Sequence, residues 1–223
     1  MFGVRQITID LQSSNHQVNT ENNVMESIRC FIAIELTPEF KAELTKLQNT
    51  LRSAPGGTGA RWVAPESIHL TLKFLGNVPT DKLPAIIQAI EDTVRDTPEF
   101  TLGLGECGCF PNVRRPQVIW VGLTGDLKIL DDLVKRLETS LARLGFKPEG
   151  RPFTPHLTLA RMRDTATPVE RQAIGEVAGR TKSLFTGSLN VAEVCLMQSE
   201  LTPKSAIYTR LAEVKLKESG KTG

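Results

Sequence analysis

Only three histidines occur in the 223 residues, and two of them open the same tetrapeptide, His69-Leu70-Thr71-Leu72 and His156-Leu157-Thr158-Leu159. The third, His16, lies in a polar N-terminal tail. Both tetrapeptides sit in runs that read as β-strands. Side chains alternate across a strand, so each histidine shares a face with its threonine, roughly 7 Å along, while the leucines turn to the core. Two such strands facing each other supply two imidazoles for proton transfer and two hydroxyls to hold phosphate oxygens. Displacement at phosphorus is in-line, so one group takes a proton on one side while another gives one on the other. With a pKa of about 6.5, an imidazole serves in either protonation state near neutral pH, without a metal to generate hydroxide. A single His-x-Thr carries no weight, because a strand histidine is usually a satisfied core or surface residue. Two identical copies at matching positions of an apparent repeat point to an acid/base pair acting on a phosphodiester.

The elements that must position this pair can be read along the chain. Residues 1–27 are rich in Asn, Gln, Ser and Thr and read as a poorly ordered extension; a strong apolar run begins at Ile28. A buried strand is expected over Arg29–Leu36, followed by a helix from Pro38 to Arg52 with Thr37 as N-cap and proline at its first position. Arg61-Trp62-Val63 and Ser67–Leu75 read as strands, the second carrying the first motif. Apolar residues at Leu83, Ile86, Ile87, Ile90 and Val94 keep helical spacing, and this second helix should end before Pro98. Phe100–Phe110 and Gln117–Leu123 read as a hairpin or meander, and Asp126–Leu144 as a third helix stopped by Gly145. Thr154–Arg161 is the strand of the second motif, and a short helix follows over Pro168–Gly179. Strands over Leu184–Asn190, Val191–Leu201 and Ala206–Leu216 close the chain, and residues 218–223 read as frayed. In each half a strand and a helix lead through a proline-containing segment into His-Leu-Thr-Leu. The expected class is therefore α+β: one domain over 28–217, with two pseudo-symmetric lobes of mainly antiparallel sheet facing a central cleft and helices outside.

Composition narrows the functions open to such a domain. Lys and Arg total 27 against 25 acids, a balance that does not by itself announce a protein gripping a long stretch of phosphate backbone and is compatible with a small anionic substrate. Cys30, Cys107, Cys109 and Cys195 lie in apolar runs and read as reduced core thiols; Cys107-Gly-Cys109 lacks the spacing of a zinc or redox site, and no metal is predicted. No stretch approaches the roughly 20 apolar residues that span a bilayer, so a soluble cytoplasmic protein is expected.

The paired motifs resemble those of the 2H phosphoesterase superfamily, and specifically its RNA 2′,3′-cyclic phosphodiesterases, also called 2′-5′ RNA ligases. Arg29 to Leu36 resembles that family's opening strand, Arg61-Trp62-Val63 through Gly76 its first motif, and Phe153 to Arg161 its second. The resemblance implies that His69 is the proton donor to the leaving ribose oxygen and His156 the acceptor that activates water, giving a 2′-phosphate. It also implies the reverse reaction, 2′-5′ joining of RNA ends. The residues alone leave the two roles interchangeable. The expected partners are RNA ends or small cyclic nucleotides bearing a 2′,3′-cyclic phosphate. No cofactor and no membrane partner are expected, and the chain is expected to act as a monomer.

Supporting residues divide more evenly between functional and bland readings. In a regular strand Arg161 lies on the face opposite His156, and a twist would be needed to swing its guanidinium toward phosphate; otherwise it is a surface arginine. Lys73 shares the alternation face of His69 and Thr71 and lines the cleft unless it is simply a solvated strand lysine. Arg114, Arg115, Arg151 and Arg163 are candidates for a basic rim, and Phe110, Trp62 and Phe153 for base-stacking platforms, against the alternatives of solvated surface and core. Two other functions compete with RNA-end hydrolysis: a non-catalytic nucleotide-binding module, and hydrolysis of other cyclic phosphates such as ADP-ribose 1″,2″-cyclic phosphate or of oligoadenylates.

Overall fold

The computed structural model describes residues 26–202 and 206–218. The expected N-terminal extension up to residue 25, with His16, lies outside the described residues, as do positions 203–205 and 219–223. Nine strands and four α-helices are found among the described residues. Strands β1 (Ser27–Ile34), β3 (Leu70–Pro79), β8 (Glu193–Leu201) and β9 (Ala206–Lys215) form one sheet in the order β3-β1-β8-β9. Strands β2 (Ala60–Trp62), β4 (Phe100–Phe110), β5 (Val118–Gly125), β6 (His156–Met162) and β7 (Leu189–Val191) form the second, in the order β2-β6-β5-β4-β7. Every pairing within both sheets is antiparallel.

Helices α2 (Leu83–Val94) and α3 (Leu127–Arg143) pack on each other and on the first sheet, while α1 (Pro38–Arg52) and α4 (Pro168–Ala178) back the second. Each sheet is thus covered by one helix from each half of the chain, and the expected α+β class with two interlocked lobes is found. Local chemistry accounts for the helix limits. The Thr37 hydroxyl accepts the Phe40 N–H and Pro38 stands at the first turn of α1, while Thr167 and Glu170 close a reciprocal capping box on α4. Helix α3 buries the stripe Leu130, Leu133, Val134, Leu137 and Leu141, and Gly145 beyond it adopts φ 88°, a left-handed conformation that glycine takes without steric cost. None of the described helices is long and apolar enough to cross a membrane.

All four cysteines are buried and free, as expected of core thiols, and burial pushes Cys107 and Cys195 up to about 12, far from thiolate reactivity. Of the boundaries that differ from expectation, two have a clear local cause. The strand of the first motif starts at Leu70, because Pro65–Ser67 wind into a 3₁₀ turn and leave His69 one residue ahead of it. The expected strand over Leu184–Asn190 shrinks to Leu189–Val191, since the Phe185 ring turns onto Phe40, 5.5 Å away, and the Leu184 side chain is left 85% exposed.

Candidate active site

The two motif histidines are held in the same way. Nδ1 of His69 lies 2.9 Å from the Ser67 carbonyl, and Nδ1 of His156 lies 2.7 Å from the Thr154 carbonyl, in each case the residue two positions upstream. A carbonyl only accepts, so this geometry assigns the proton to Nδ1 in both rings and leaves Nε2 as the working nitrogen. Neither Nε2, and neither the Thr71 nor the Thr158 hydroxyl, has a hydrogen-bond partner among the described residues. Strands β3 and β6, which carry the motifs, come within 8 Å of each other between Cα atoms.

The surroundings of the two rings differ. His69 stacks on Phe31 with centroids 4.6 Å apart and meets the edge of Tyr208 at 5.0 Å. Phe31, Ala33, Cys195 and Met197, with Tyr208 against them, form an apolar cluster separate from the main core, on the face of the first sheet away from its helices. Burial in this cluster holds His69 below the usual imidazole range, opposed by its backbone hydrogen bond and by the negative charge of Glu35. His156 instead meets Phe110 edge-on at 4.9 Å, with Trp120 at 6.2 Å. The indole of Trp120 lies flat across β4 at Gly108, where a Cβ would come within 2.4 Å of the ring, so a glycine is required there.

Strand register decides where the supporting residues go. Residues directly opposite in an antiparallel pair share a face. His156, Thr158 and Arg161 oppose Gly122, Trp120 and Val118, every second residue of β5, because a register shift between Ile119 and Trp120 leaves Leu159 as an extra residue. This bulge re-aims the strand, so Arg161 joins the face of His156 and Thr158. The strict alternation expected from sequence places it on the other side and is corrected. Arg61, opposite Arg161 on β2, shares that face.

The first motif has the same device, with Leu72 as the extra residue between the Ala33–Thr71 and Ile32–Lys73 pairs. Here the bulge removes Lys73 from the face of Thr71, against the expectation of either a cleft-lining or a solvated lysine. Its side chain is 2% exposed; Nζ donates to Glu138 Oε2 on α3 at 2.9 Å and to the Lys147 carbonyl at 2.7 Å. The position equivalent to Arg161 is Phe74, opposite Phe31 and 58% exposed. The two lobes therefore present a guanidinium and a phenyl ring at matching places.

Of the other sequence candidates, Phe110 reaches the site and Trp62 and Phe153 do not. Trp62 opposes Ala160 on the core side, its Nε1 donates to the Gly57 carbonyl, and Phe153 packs against the main core. Arg114, Arg115 and Arg163 line a groove with Arg161, while Arg151 is exposed outside it. Sequence reading missed Phe31 and Tyr208 beside His69, since β1 is buried on both faces and its alternation is masked by a continuous apolar run. It also missed Gln48, which is 1% exposed and donates from Nε2 to the carbonyls of Val63 at 2.8 Å and Leu159 at 2.9 Å. The second carbonyl belongs to the bulged residue, so Gln48 braces the kink that aims Arg161. Gln48→Leu should destabilise the fold by about 1–3 kcal/mol in denaturant titration, the cost of leaving buried carbonyls unpaired.

Two segments, residues 34–120 and 123–208, each match the model of the LigT like Phosphoesterase family. The two matches cover most of the chain, and each contains one His-Leu-Thr-Leu motif some thirty-odd residues from its start. The chain belongs to the LigT-like phosphoesterase family. It is 35% identical over 189 residues to an RNA 2′,3′-cyclic phosphodiesterase of Methanothermobacter thermautotrophicus, covering 85% of this chain and 99% of that protein. Two solved structures are similar. A crystal structure of a Thermus thermophilus protein superposes with a TM-score of 0.71 at 29% identity, covering 86% of this chain and 100% of that one. The crystal structure of E. coli LigT in apo form gives 0.69 at 30% identity, covering 86% and 99%.

Proposed function

We propose that this phosphoesterase hydrolyses RNA 2′,3′-cyclic phosphate ends to 2′-phosphomonoesters, with His156 as base and His69 as acid. The observation that carries this reading is the matched anchoring of both imidazoles through Nδ1, which leaves one Nε2 in each lobe for proton transfer. Neutral His156 takes a proton from water as the water oxygen bonds to phosphorus. The bond from phosphorus to the 3′-oxygen breaks on the opposite side, and protonated His69 gives its Nε2 proton to that oxygen. Thr71 and Thr158 donate to the non-bridging oxygens, and Arg161 adds a cationic fork to the phosphate. The order of acid and base follows the resemblance to the family.

Burial disfavours the charged form of His69 in the free protein. A bound phosphodiester anion offsets this by stabilising the imidazolium, so the acid is assembled together with its substrate. With two imidazoles supplying both proton transfers, the reaction requires no metal. When an RNA 5′-hydroxyl replaces water as nucleophile, the same steps give a 2′-5′ linkage. Both motifs come from one chain, so a single copy carries both proton-transfer groups.

Incubation with adenosine 2′,3′-cyclic phosphate in excess EDTA should release the 2′-monophosphate. Recovery of unchanged substrate would favour a binding module, a 3′-monophosphate would reverse which P–O bond breaks, and loss of turnover on chelation would exclude the metal-independent scheme.

A further inference from the structure

The last rung between β1 and β3 is Ile34–Leu70, so the next residues outward along the two chains are Glu35 and His69. Positions that oppose each other in an antiparallel pair share a face, and opposite charges at such positions attract. Here that face is the cleft side. Phe31 and Ala33 lie on it, in the apolar cluster against which His69 stacks, and Glu35 falls at the next alternate position of the chain.

The carboxylate at this strand end is held in place. The Cys195 thiol donates to Glu35 Oε2 at 3.7 Å from the residue opposite Ala33 on β8, and the Arg210 guanidinium of β9 pairs with the same oxygen. Arg210 reaches the cleft face through a further bulge. The register shift between Leu196 and Met197 leaves Leu211 as an extra residue, so Arg210 opposes Met197 while Leu211 packs against the main core. Glu193 and Glu213 also pair with Arg210, so three carboxylates surround one guanidinium. Burial, with a hydrogen bond to Glu213, holds Glu193 above the usual carboxylate range, and the crowding of negative charge is relieved there.

The charged and titratable groups about His69 come from four elements. Lys41 of α1, whose Nζ donates to the Glu66 carbonyl at 3.3 Å, opposes the imidazolium. Tyr208 of β9 meets the ring edge-on, and Cys195 of β8 belongs to the same cluster. Glu35, beyond β1 and paired with Arg210, is the side chain whose charge favours the imidazolium against burial.

We infer that Glu35 is a positioning residue for the reaction, a fixed counter-charge at the strand end that keeps the His69 imidazolium available as proton donor. This rests on the reading of His69 as the acid. An acid works only in its protonated form, so removing the counter-charge shrinks the competent fraction of free enzyme while leaving the groups that hold phosphate in place.

The test is Glu35→Gln, which keeps the shape and removes the charge. Followed by NMR in the resting protein, the His69 ring should titrate about half a pH unit or more to the acid side of its place in the intact protein, with His156 unmoved. At neutral pH, kcat/KM for adenosine 2′,3′-cyclic phosphate should fall about threefold or more, the same half unit expressed as a competent fraction. The fall in kcat should be smaller, because bound phosphate restores the imidazolium. Glu35→Asp returns the charge and should recover most of both. Glu213→Gln removes a carboxylate from the same cluster but not from the position opposite His69, and should move the titration less. An unmoved His69 titration in Glu35→Gln, or an equal shift in Glu213→Gln, would overturn the inference and leave the acid assignment standing. A shifted titration with kcat/KM unchanged or raised would overturn it from the other side, by removing His69 from the acid role.

Discussion

His156→Ala should lower kcat/KM for a 2′,3′-cyclic nucleotide by about 10²- to 10⁴-fold with little change in stability, the range expected when one general acid or base is lost. His69→Ala should cost the same in rate and about 1 kcal/mol more in stability, the scale of a lost aromatic pair. The difference follows from their settings. Both imidazoles meet aromatic rings, but His69 fills a buried slot between Phe31 and Tyr208 at 4.6 and 5.0 Å, where truncation leaves a gap among apolar side chains. His156 makes its backbone hydrogen bond near the surface. His69→Gln, which keeps more of the volume, should recover part of the stability and none of the rate. Steady-state kinetics with thermal melts of each variant separate the two effects, and full turnover in either alanine variant would remove that histidine from the mechanism. The double variant should be hardly slower than either single one, because two groups that serve one step lose their effects together.

The pH profile should assign the two roles. In the free enzyme, His69 lies below its ordinary value of 6.5 because of burial. If it must be protonated to act, the activity left in His156→Ala should fall as pH rises through that lowered value, on the acid side of 6.5. The same fall in kcat should lie higher, since bound phosphate favours the imidazolium. Residual activity of His69→Ala should then lose its alkaline limb, and that of His156→Ala its acid limb. Disappearance of the acid limb in the His69 variant would exchange acid and base. The profile follows directly from initial rates across pH 4 to 9, roughly the span over which histidines titrate.

Helix limits were largely legible in the sequence, because caps and apolar spacing are local signals. Thr37 and Pro38 mark the start of α1 and Gly145 the end of α3 without help from the rest of the fold. The motif pair was legible for a different reason: identical tetrapeptides in a chain with three histidines are rare. Register was not legible. Whether Lys73 faces the cleft or α3 depends on one extra residue in β3 relative to β1, and nothing within Leu70–Pro79 announces it. Arg161 shows the converse error, since a bulge against β5 brings it to the face that strict alternation denies it. Partner strands distant in sequence decide both positions, so a period-2 reading of one strand misplaces them. The cradle of His69 was hidden in the same way, as Tyr208 stands on β9, far downstream of the residue it touches.

That last separation bears on how the enzyme comes into being on the ribosome. β4, β5 and β6 run from Phe100 to Met162, so most of the second sheet pairs as soon as it emerges. β1 must wait for β8 as its second neighbour, and the sheet is completed only by β9, near the end of the chain. Chains fold as they are made, and long-range pairings form late. A nascent chain stalled after β6 therefore carries both histidines and lacks the slot that encloses one of them. A product lacking β8 and β9 would leave His69 without Tyr208 at its edge and without the Cys195 and Met197 side chains of the same cluster.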